Sequence, residues 1–199
     1  RFLTAVSGRV FNMRDRFGRE IDYMRISVID SCNLNCYYCN PQDNNKKCQA
    51  INTLSVKKVL CIVRAATRLG ITHFRLTGGE PLLHPQLGEI LDICRELLFR
   101  VVITTNGTLL PAQETMLLSS PALYKINVSL HSFEANAPGD FRAYLSGCFS
   151  FAKKAGDAGK LVDLRLWNLD GETTRGQNAQ NDVILETLAS FFPRPWVQN

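Results

Sequence analysis

The sequence lacks an apolar run long enough to cross a membrane. No stretch approaches the roughly 20 consecutive apolar residues of a spanning helix, and the N-terminus carries no apolar segment typical of signal peptides. Internal repeats and low-complexity tracts are also missing, while hydrophobic residues make up 45% and charged residues 21% of the chain. This composition is typical of a globular protein with a core. We therefore expect a cytoplasmic protein that makes no membrane contact.

Runs of positive charge are missing as well. The 23 Lys and Arg residues exceed the 18 Asp and Glu residues, which gives a net charge of +5, but they are scattered along the chain. No segment resembles a basic arm or a recognition helix. Nucleic acid is therefore not an expected partner.

The length of 199 residues excludes two further arrangements. A closed eightfold α/β barrel usually needs about 250 residues, and chains of this size seldom split into two domains. We expect one domain over residues 1–199, with residues 1–20 as an N-terminal extension and residues 168–199 as a loop and a C-terminal helix. The sequence begins at Arg1 rather than Met, so whether it is a truncated form of a longer protein stays open.

Strand and helix signals alternate along the chain. The apolar periodicity predicts strands at Ile21–Ile29, Ile71–Thr77, Val101–Thr105, Tyr124–Leu130 and Leu161–Trp167. It predicts helices at Leu54–Leu69, Pro85–Leu98, Ala112–Ser119, Phe141–Ala158 and Asp182–Phe192. Such alternation favours parallel strands joined by right-handed crossovers. The expected fold is α/β, an open, partial TIM-like barrel of about five to six βα units with parallel strands inside and helices outside.

The unusual residues follow the predicted strands, where parallel α/β folds place their working groups. Three cysteines follow the first strand, and Gly78-Gly79-Glu80-Pro81 follows the second. Asn106-Gly107 follows the third strand, while Ser129 and His131 close the fourth.

The seven cysteines do not predict a disulfide framework, because the cytosol keeps thiols reduced. Cys61, Cys94 and Cys148 lie in helix-like segments and are expected in the core. Cys32, Cys36 and Cys39 instead form a Cys-x3-Cys-x2-Cys motif beyond a strand. A structural zinc site needs four ligands, whereas a four-iron cluster held by three thiolates keeps one iron open to a ligand. A non-catalytic zinc or iron–sulfur protein remains the alternative, and a role for Cys48 stays undefined.

This motif resembles the signature of the radical S-adenosylmethionine (radical SAM) enzymes, in which an aromatic residue, here Tyr38, precedes the third cysteine. Three further segments occur in the family's order: Thr77-Gly78-Gly79-Glu80-Pro81, Thr104-Thr105-Asn106-Gly107 and Asn127-Val128-Ser129-Leu130. The resemblance extends from about Asp15 to Trp167, so the domain is expected to be a radical SAM core.

The resemblance implies a [4Fe-4S] cluster held by Cys32, Cys36 and Cys39, and S-adenosylmethionine (SAM) bound at its open iron. It implies that SAM is cleaved to a 5′-deoxyadenosyl radical that removes hydrogen from a substrate. The residues expected to bind SAM are Tyr38, Gly78, Gly79, Glu80, Asn106, Ser129 and Arg165, with the Glu80 carboxylate accepting from the ammonium group. The expected partners are a small-molecule or peptide substrate and an electron donor such as a flavodoxin or ferredoxin.

Within the superfamily the first half resembles the GTP 3′,8-cyclases of molybdenum-cofactor biosynthesis. By that resemblance Arg25, Arg75 and Thr104 would contact substrate. His131 and Asp163 depart from the cyclase pattern, which has Asp and a phosphate-binding Lys there, and the cyclase's three C-terminal cysteines are missing.

Strand alternation supports an anionic substrate. It puts Arg25, Arg75 and Arg165 on strand faces that would line a barrel interior. The guanidinium fork suits oxyanions, so an anionic substrate is expected, while neutralisation by pairs such as Asp163 with Arg165 is the alternative.

Overall fold

A computed structural model describes residues 13–36, 38–39, 52–134, 139–166 and 181–192. Residues 1–12 and 167–180, which include Trp167, lie outside the described residues, as does Cys48. In the described part of the chain, no helix is both long and apolar enough to span a membrane.

Five parallel strands form one open sheet in the order in which they occur in the chain. Their bounds are β1 Tyr23–Ile29, β2 His73–Gly78, β3 Arg100–Thr105, β4 Leu123–Ser129 and β5 Leu161–Arg165. All four neighbouring pairs are parallel, so each connection crosses over through a helical segment. The predicted open α/β fold is therefore confirmed, with five strands.

Six helices accompany the sheet within the described residues. They are α1 Val56–Arg68, α2 Leu87–Glu96, α3 Leu110–Ser119, α4 His131–Glu134, α5 Phe141–Asp157 and α6 Asn181–Phe191. Side chains cap the N-termini of α1 and α5: Ser55 accepts from Lys58 N at 3.4 Å, and Asp140 accepts from Arg142 N at 2.9 Å. The short helix α4 and the 3₁₀ turn at Pro81–Leu83 were not predicted from the sequence.

The outer face of the sheet is apolar and carries the core. Side chains that alternate toward this face, such as Phe74, Leu76, Ile103 and Ile126, are almost completely buried. Apolar stripes from the helices pack in the same core, including Val59 and Val63 of α1. The fold is thus stabilised mainly from the outer side of the sheet.

Two of the three cysteines expected in the core are there. Cys94 and Cys148 are buried, and burial raises the pKa of each thiol to about 12. The prediction for Cys61 is wrong, because this residue is exposed. The buried stripe of α1 consists of Val59, Val63 and Ala66, and Cys61 lies two residues past Val59, on the far side of the helix.

The inner face of the sheet is polar. Arg25 pairs in register with Arg75, Arg75 with Val102, and Val102 with Lys125. We call these four residues the lower layer. One step toward the carboxyl ends, Ser27 pairs with Thr77, Thr104 with Asn127, and Asn127 with Asp163. We call these five residues the upper layer.

Candidate functional site

A cavity of about 220 Å³ lies where the carboxyl ends of the strands meet the cysteine loop. One side is lined by Cys32, Cys36, Tyr38 and Cys39. The other side is lined by residues at or just beyond strand ends: Thr77, Gly78, Gly79, Thr104, Thr105, Asn106, Ser129, His131 and Ser132. Of the thirteen predicted cluster, SAM and substrate residues, nine line this cavity, and Arg25, Arg75, Glu80 and Arg165 do not.

The cysteine loop presents three thiols that form no disulfide. Cys36 is buried and its thiol donates to Ser132 O at 3.7 Å, while Cys32 and Cys39 are exposed. A turn closes the second half of the motif, because Cys39 N donates to Cys36 O at 2.9 Å. Burial raises the pKa of Cys39, and the nearby Cys36 and Cys32 sulfurs raise it further. The three sulfurs are therefore close enough to interact electrostatically.

This donor set fits an iron–sulfur cluster. Iron charge among the sulfurs would offset the repulsion that raises the Cys39 pKa. Among the described residues, no group of three or more His, Cys, Asp or Glu side chains is arranged to hold a single metal ion. A four-iron cluster does not need such a group, because it binds each thiolate at a different iron. The three thiols therefore fit a cluster of this kind, and their role as its ligands stays a prediction.

The two glycines after β2 allow a close approach of the chain to itself. A Cβ on Gly78, whose φ is +140°, would collide with Ile29 O, and a Cβ on Gly79 would collide with Ser31 O. This contact lets Gly79 N donate to Ile29 O and Glu80 N donate to Ser31 O, both at 2.9 Å. The glycines therefore fasten the end of β2 to the segment that leads into Cys32, while they also line the cavity.

Glu80 is completely buried, and the chain itself engages both carboxylate oxygens. Oε1 accepts from Leu82 N at 3.0 Å and from Thr105 Oγ1 at 2.8 Å, and Oε2 accepts from Asn106 N at 2.7 Å. Burial raises the pKa of Glu80 although these hydrogen bonds oppose the shift. The carboxylate joins the loops after β2 and β3, and its predicted contact with SAM stays a prediction.

Asn106 connects the end of β3 to the first cysteine. Its Nδ2 donates to Asn33 Oδ1 at 2.9 Å and to Cys32 Sγ at 3.7 Å. From α5, the Tyr144 hydroxyl donates to Asn106 O at 2.7 Å. Glu80 and Tyr144 therefore hold the Asn106 backbone from two sides, and the side chain lies beside both the thiol and the cavity. Sequence reasoning missed Tyr144, because its contact joins positions 38 residues apart.

The remaining predicted SAM residues divide between the cavity and its surroundings. Ser129 and Tyr38 line the cavity, and the Tyr38 and Ser132 hydroxyls share a hydrogen bond of 3.0 Å. Arg165 pairs in register with Ser129 but is exposed. Its carbonyl accepts from Leu130 N at 2.8 Å. The side chain of Arg165 stays a predicted ligand contact.

The lower layer contains a basic residue that sequence reasoning missed. Lys125 lies on the inner face, and its Nζ is 2.7 Å from Asp163 Oδ2. The alternative in which Asp163 pairs with Arg165 is therefore wrong. The two lie on one strand, two residues apart, whereas Lys125 reaches Asp163 across neighbouring strands. The alternation that selected Arg25 and Arg75 also applies to Lys125, two residues before Asn127, and could have found it.

Comparisons with known proteins agree with this geometry. The family model described as the Radical SAM superfamily matches residues 26–157. The GTP 3′,8-cyclase of Pelotomaculum thermopropionicum is 35% identical over 185 residues, which cover 91% of this chain and 55% of that protein. The GTP 3′,8-cyclase of Geobacter sulfurreducens is 43% identical over 133 residues, which cover 65% of this chain and 39% of that protein. The chain thus spans about half or less of these relatives.

Solved structures share the fold. The Streptococcus suis protein SuiB bound to its precursor peptide SuiA has a TM-score of 0.61 at 21% identity, over 83% of this chain and 37% of that chain. SuiB bound to S-adenosylmethionine has a TM-score of 0.60 at 20% identity, over 83% of this chain and 38% of that chain. At this identity the likeness concerns the fold alone.

Proposed function

The chain belongs to the radical SAM superfamily, whose members use a [4Fe-4S] cluster and SAM, and on this premise we propose that it cleaves SAM reductively to start radical chemistry on an anionic substrate. The observation that carries the proposal is the meeting of the Cys32, Cys36 and Cys39 thiols with the glycine segment and Asn106 around one cavity. When bound, the cluster supplies the electron that splits SAM into methionine and a 5′-deoxyadenosyl radical, which removes hydrogen from the substrate.

The residues of the chain hold and orient the reactants. Cys32, Cys36 and Cys39 bind the cluster, and the backbone at Gly78 and Gly79 gives SAM a close approach. Tyr38, Ser129 and Asn106 are available around the cavity for the remaining polar and apolar parts of SAM. Glu80 contributes by holding the Asn106 backbone in place.

The substrate is proposed to be anionic and to lie toward the inner face of the sheet. Arg25 and Arg75 are neighbours in register, and Thr104 of the upper layer lines the cavity. Two adjacent guanidinium groups suit a carboxylate or phosphate. An electron donor such as a flavodoxin or ferredoxin and a small-molecule or peptide substrate complete the proposed partners. A cytoplasmic location follows from the need for reduced thiols.

Release of 5′-deoxyadenosine tests the proposal. We expect anaerobically reconstituted protein to be brown, to hold about four iron atoms per chain, and to release 5′-deoxyadenosine from SAM and dithionite. Cys36→Ala should lose both the iron and the release, whereas Cys94→Ala, which removes a thiol buried in the core, should retain both. Iron content and SAM cleavage that survive in Cys36→Ala would contradict the assignment.

A second candidate function is a GTP 3′,8-cyclase-like reaction. The identity of 35–43% to proteins of that name favours it. Incubation with GTP, SAM and dithionite, followed by chromatography, distinguishes the two candidates. A GTP-derived product supports the cyclase-like activity, whereas 5′-deoxyadenosine release with intact GTP supports another anionic substrate.

A further inference from the structure

The two halves of the inner face differ in their free positive charge. On β1 and β2, Arg25 and Arg75 are adjacent in register, and no described carboxylate lies within ion-pair distance of either guanidinium. On β4 and β5, the charge of Lys125 is engaged by Asp163 at 2.7 Å. The charge of Lys125 is therefore neutralised within the chain, while Arg165, the register neighbour of the cavity residue Ser129, is the predicted SAM contact.

Arg75 carries a buried hydrogen-bond donor that is available to a ligand. Its Nε is buried and has no hydrogen-bond partner among the described residues. The guanidinium carbon lies 5.5 Å from the centre of the Tyr23 ring, which supports the side chain without using a donor. Because a buried donor without a partner is costly, an oxyanion at this place would be stabilising.

The opposite half offers acceptors instead. Asn127 is completely buried, and its Oδ1 has no partner in the described part of the chain, while its Nδ2 donates to Thr104 Oγ1 at 3.4 Å. Asp163 is the register neighbour of Asn127 and is partly exposed. An anion placed here would face a carbonyl oxygen and a carboxylate, so this half favours an N–H or O–H donor.

The distance between the two halves of the inner face determines which anions can contact both halves. Arg75 and Lys125 lie in the same layer with only Val102 between them in register. Two strand spacings amount to about 10 Å, a span that a polyphosphate chain with two long basic side chains can bridge. A single carboxylate or phosphate on Arg25 and Arg75 cannot reach Lys125.

We propose that Asp163 is a specificity-determining residue: by engaging Lys125 it confines anion binding in the lower layer to Arg25 and Arg75, so the substrate carries one compact oxyanion rather than a polyphosphate. This inference rests on the proposed function and deepens it. It also predicts that the part of the substrate near β4 and β5 is a hydrogen-bond donor.

Titration with two inorganic anions tests the inference. The probes are phosphate and tripolyphosphate, followed by ³¹P NMR with the cluster-loaded, oxidised protein and SAM; ¹³C-acetate in parallel distinguishes a carboxylate from a phosphate preference. Asp163→Asn frees Lys125 and should tighten tripolyphosphate binding about fivefold or more, with less than about twofold change for phosphate. Adding Lys125→Met to this variant should return the affinity to that of the wild type.

A matched control uses the ion pair between Lys154 and Glu114, which has a similar distance of 2.8 Å but joins α5 to α3 on the outer side of the fold. Glu114→Gln frees Lys154 and should leave both affinities unchanged. Equal tripolyphosphate binding in wild type and Asp163→Asn would overturn the inference, and if SAM cleavage persists the proposed function still stands. Absence of all anion binding would overturn the inference together with the anionic substrate, and absence of SAM cleavage would overturn the proposed function itself.

Discussion

The outer and inner faces of the same five strands have opposite chemistry. Outward-facing side chains such as Phe74 and Ile126 are completely buried. The inner face carries Arg25, which is exposed, and Lys125 and Asp163, which are partly exposed. Burial of apolar area on one face supplies most of the stability. The other face is therefore free to carry charges and unpaired polar atoms that would destabilise a core.

The cysteines show the same division. Cys94 and Cys148 lie among apolar side chains of α2 and α5, where burial raises the pKa of each thiol to about 12 and keeps it protonated. Cys32 and Cys39 are exposed at the rim of the cavity. The surroundings of a thiol, rather than the residue type, separate the core cysteines from the predicted cluster cysteines at the cavity.

The largest effect on the cavity side is expected from Gly79→Ala. The new Cβ would collide with the backbone oxygen of Ser31, which cannot move without shifting the cysteine loop, so we expect loss of cluster binding and several kcal/mol of stability. Iron content and urea unfolding measure the two effects.

Gly156→Ala is the matched control on the helical side. Its Cβ would meet nothing within 4 Å inside α5, so a gain of about 0.5–1 kcal/mol is expected. Full iron content in Gly79→Ala would show that the close approach after β2 is not needed.

Phe149→Ala tests the outer side. Phe149 is completely buried and its ring lies edge-on to Phe191 at 5.8 Å, so truncation should lower the free energy of unfolding by about 3–5 kcal/mol. Phe17→Ala at an exposed position should change it by less than about 0.5 kcal/mol. Phosphate affinity of folded Phe149→Ala should match wild type, and a large decrease would show that the two faces are coupled.

Glu80→Gln tests the buried Glu80 carboxylate, which lies between the apolar outer side of the sheet and the cavity side. Losing a well-aligned acceptor should lower the free energy of unfolding by about 1–3 kcal/mol. Because burial raises the pKa of Glu80 above its ordinary value of 4.5, the folded chain binds the proton more tightly than the unfolded chain. The contribution of Glu80 to stability is thus largest below the ordinary value and falls as the pH rises through the folded-state value.

Urea unfolding of wild type and Glu80→Gln from about pH 4 to about pH 8 measures this dependence. The difference in free energy of unfolding between wild type and Glu80→Gln should become smaller as the pH rises. A difference that widens instead would mean that the hydrogen bonds to the carboxylate outweigh its burial.

Tyr144→Phe should have the smallest effect. It removes one hydrogen bond, from the hydroxyl to Asn106 O at 2.7 Å, and retains the stacking of the ring on Phe133 at 4.2 Å. We expect a loss of about 1 kcal/mol of stability with cluster binding retained. A complete loss of iron would show that Asn106 depends on this one contact.

Element order was predictable from sequence because apolar periodicity is a local property. All five strands and the major helices lie at or within a few residues of their predicted positions. The short helix at His131–Glu134 was missed, because four residues carry too little periodicity to reveal a helix. Cys61 was misplaced, because its position on the helix depends on which stripe of α1 meets the sheet.

The position of the candidate site could also be predicted from the sequence, because the carboxyl ends of parallel strands share one edge of the sheet. The cysteine motif, the glycine segment and Asn106 do line one cavity. The contacts of individual side chains could not be predicted in this way: Glu80 accepts hydrogen bonds from Leu82, Thr105 and Asn106, and its contact with SAM stays a prediction.

The sequence by itself determined an open α/β fold and a three-thiol loop at the strand ends, because spacing and alternation are encoded within short segments. Only the tertiary structure decided that Asp163 engages Lys125 and that Tyr144 and Glu80 hold Asn106. The partners in each contact lie 25 or more positions apart in the chain. Several other residues carry side chains that could form the same kind of contact. Which polar groups meet depends on strand register and packing, and no local pattern records that choice.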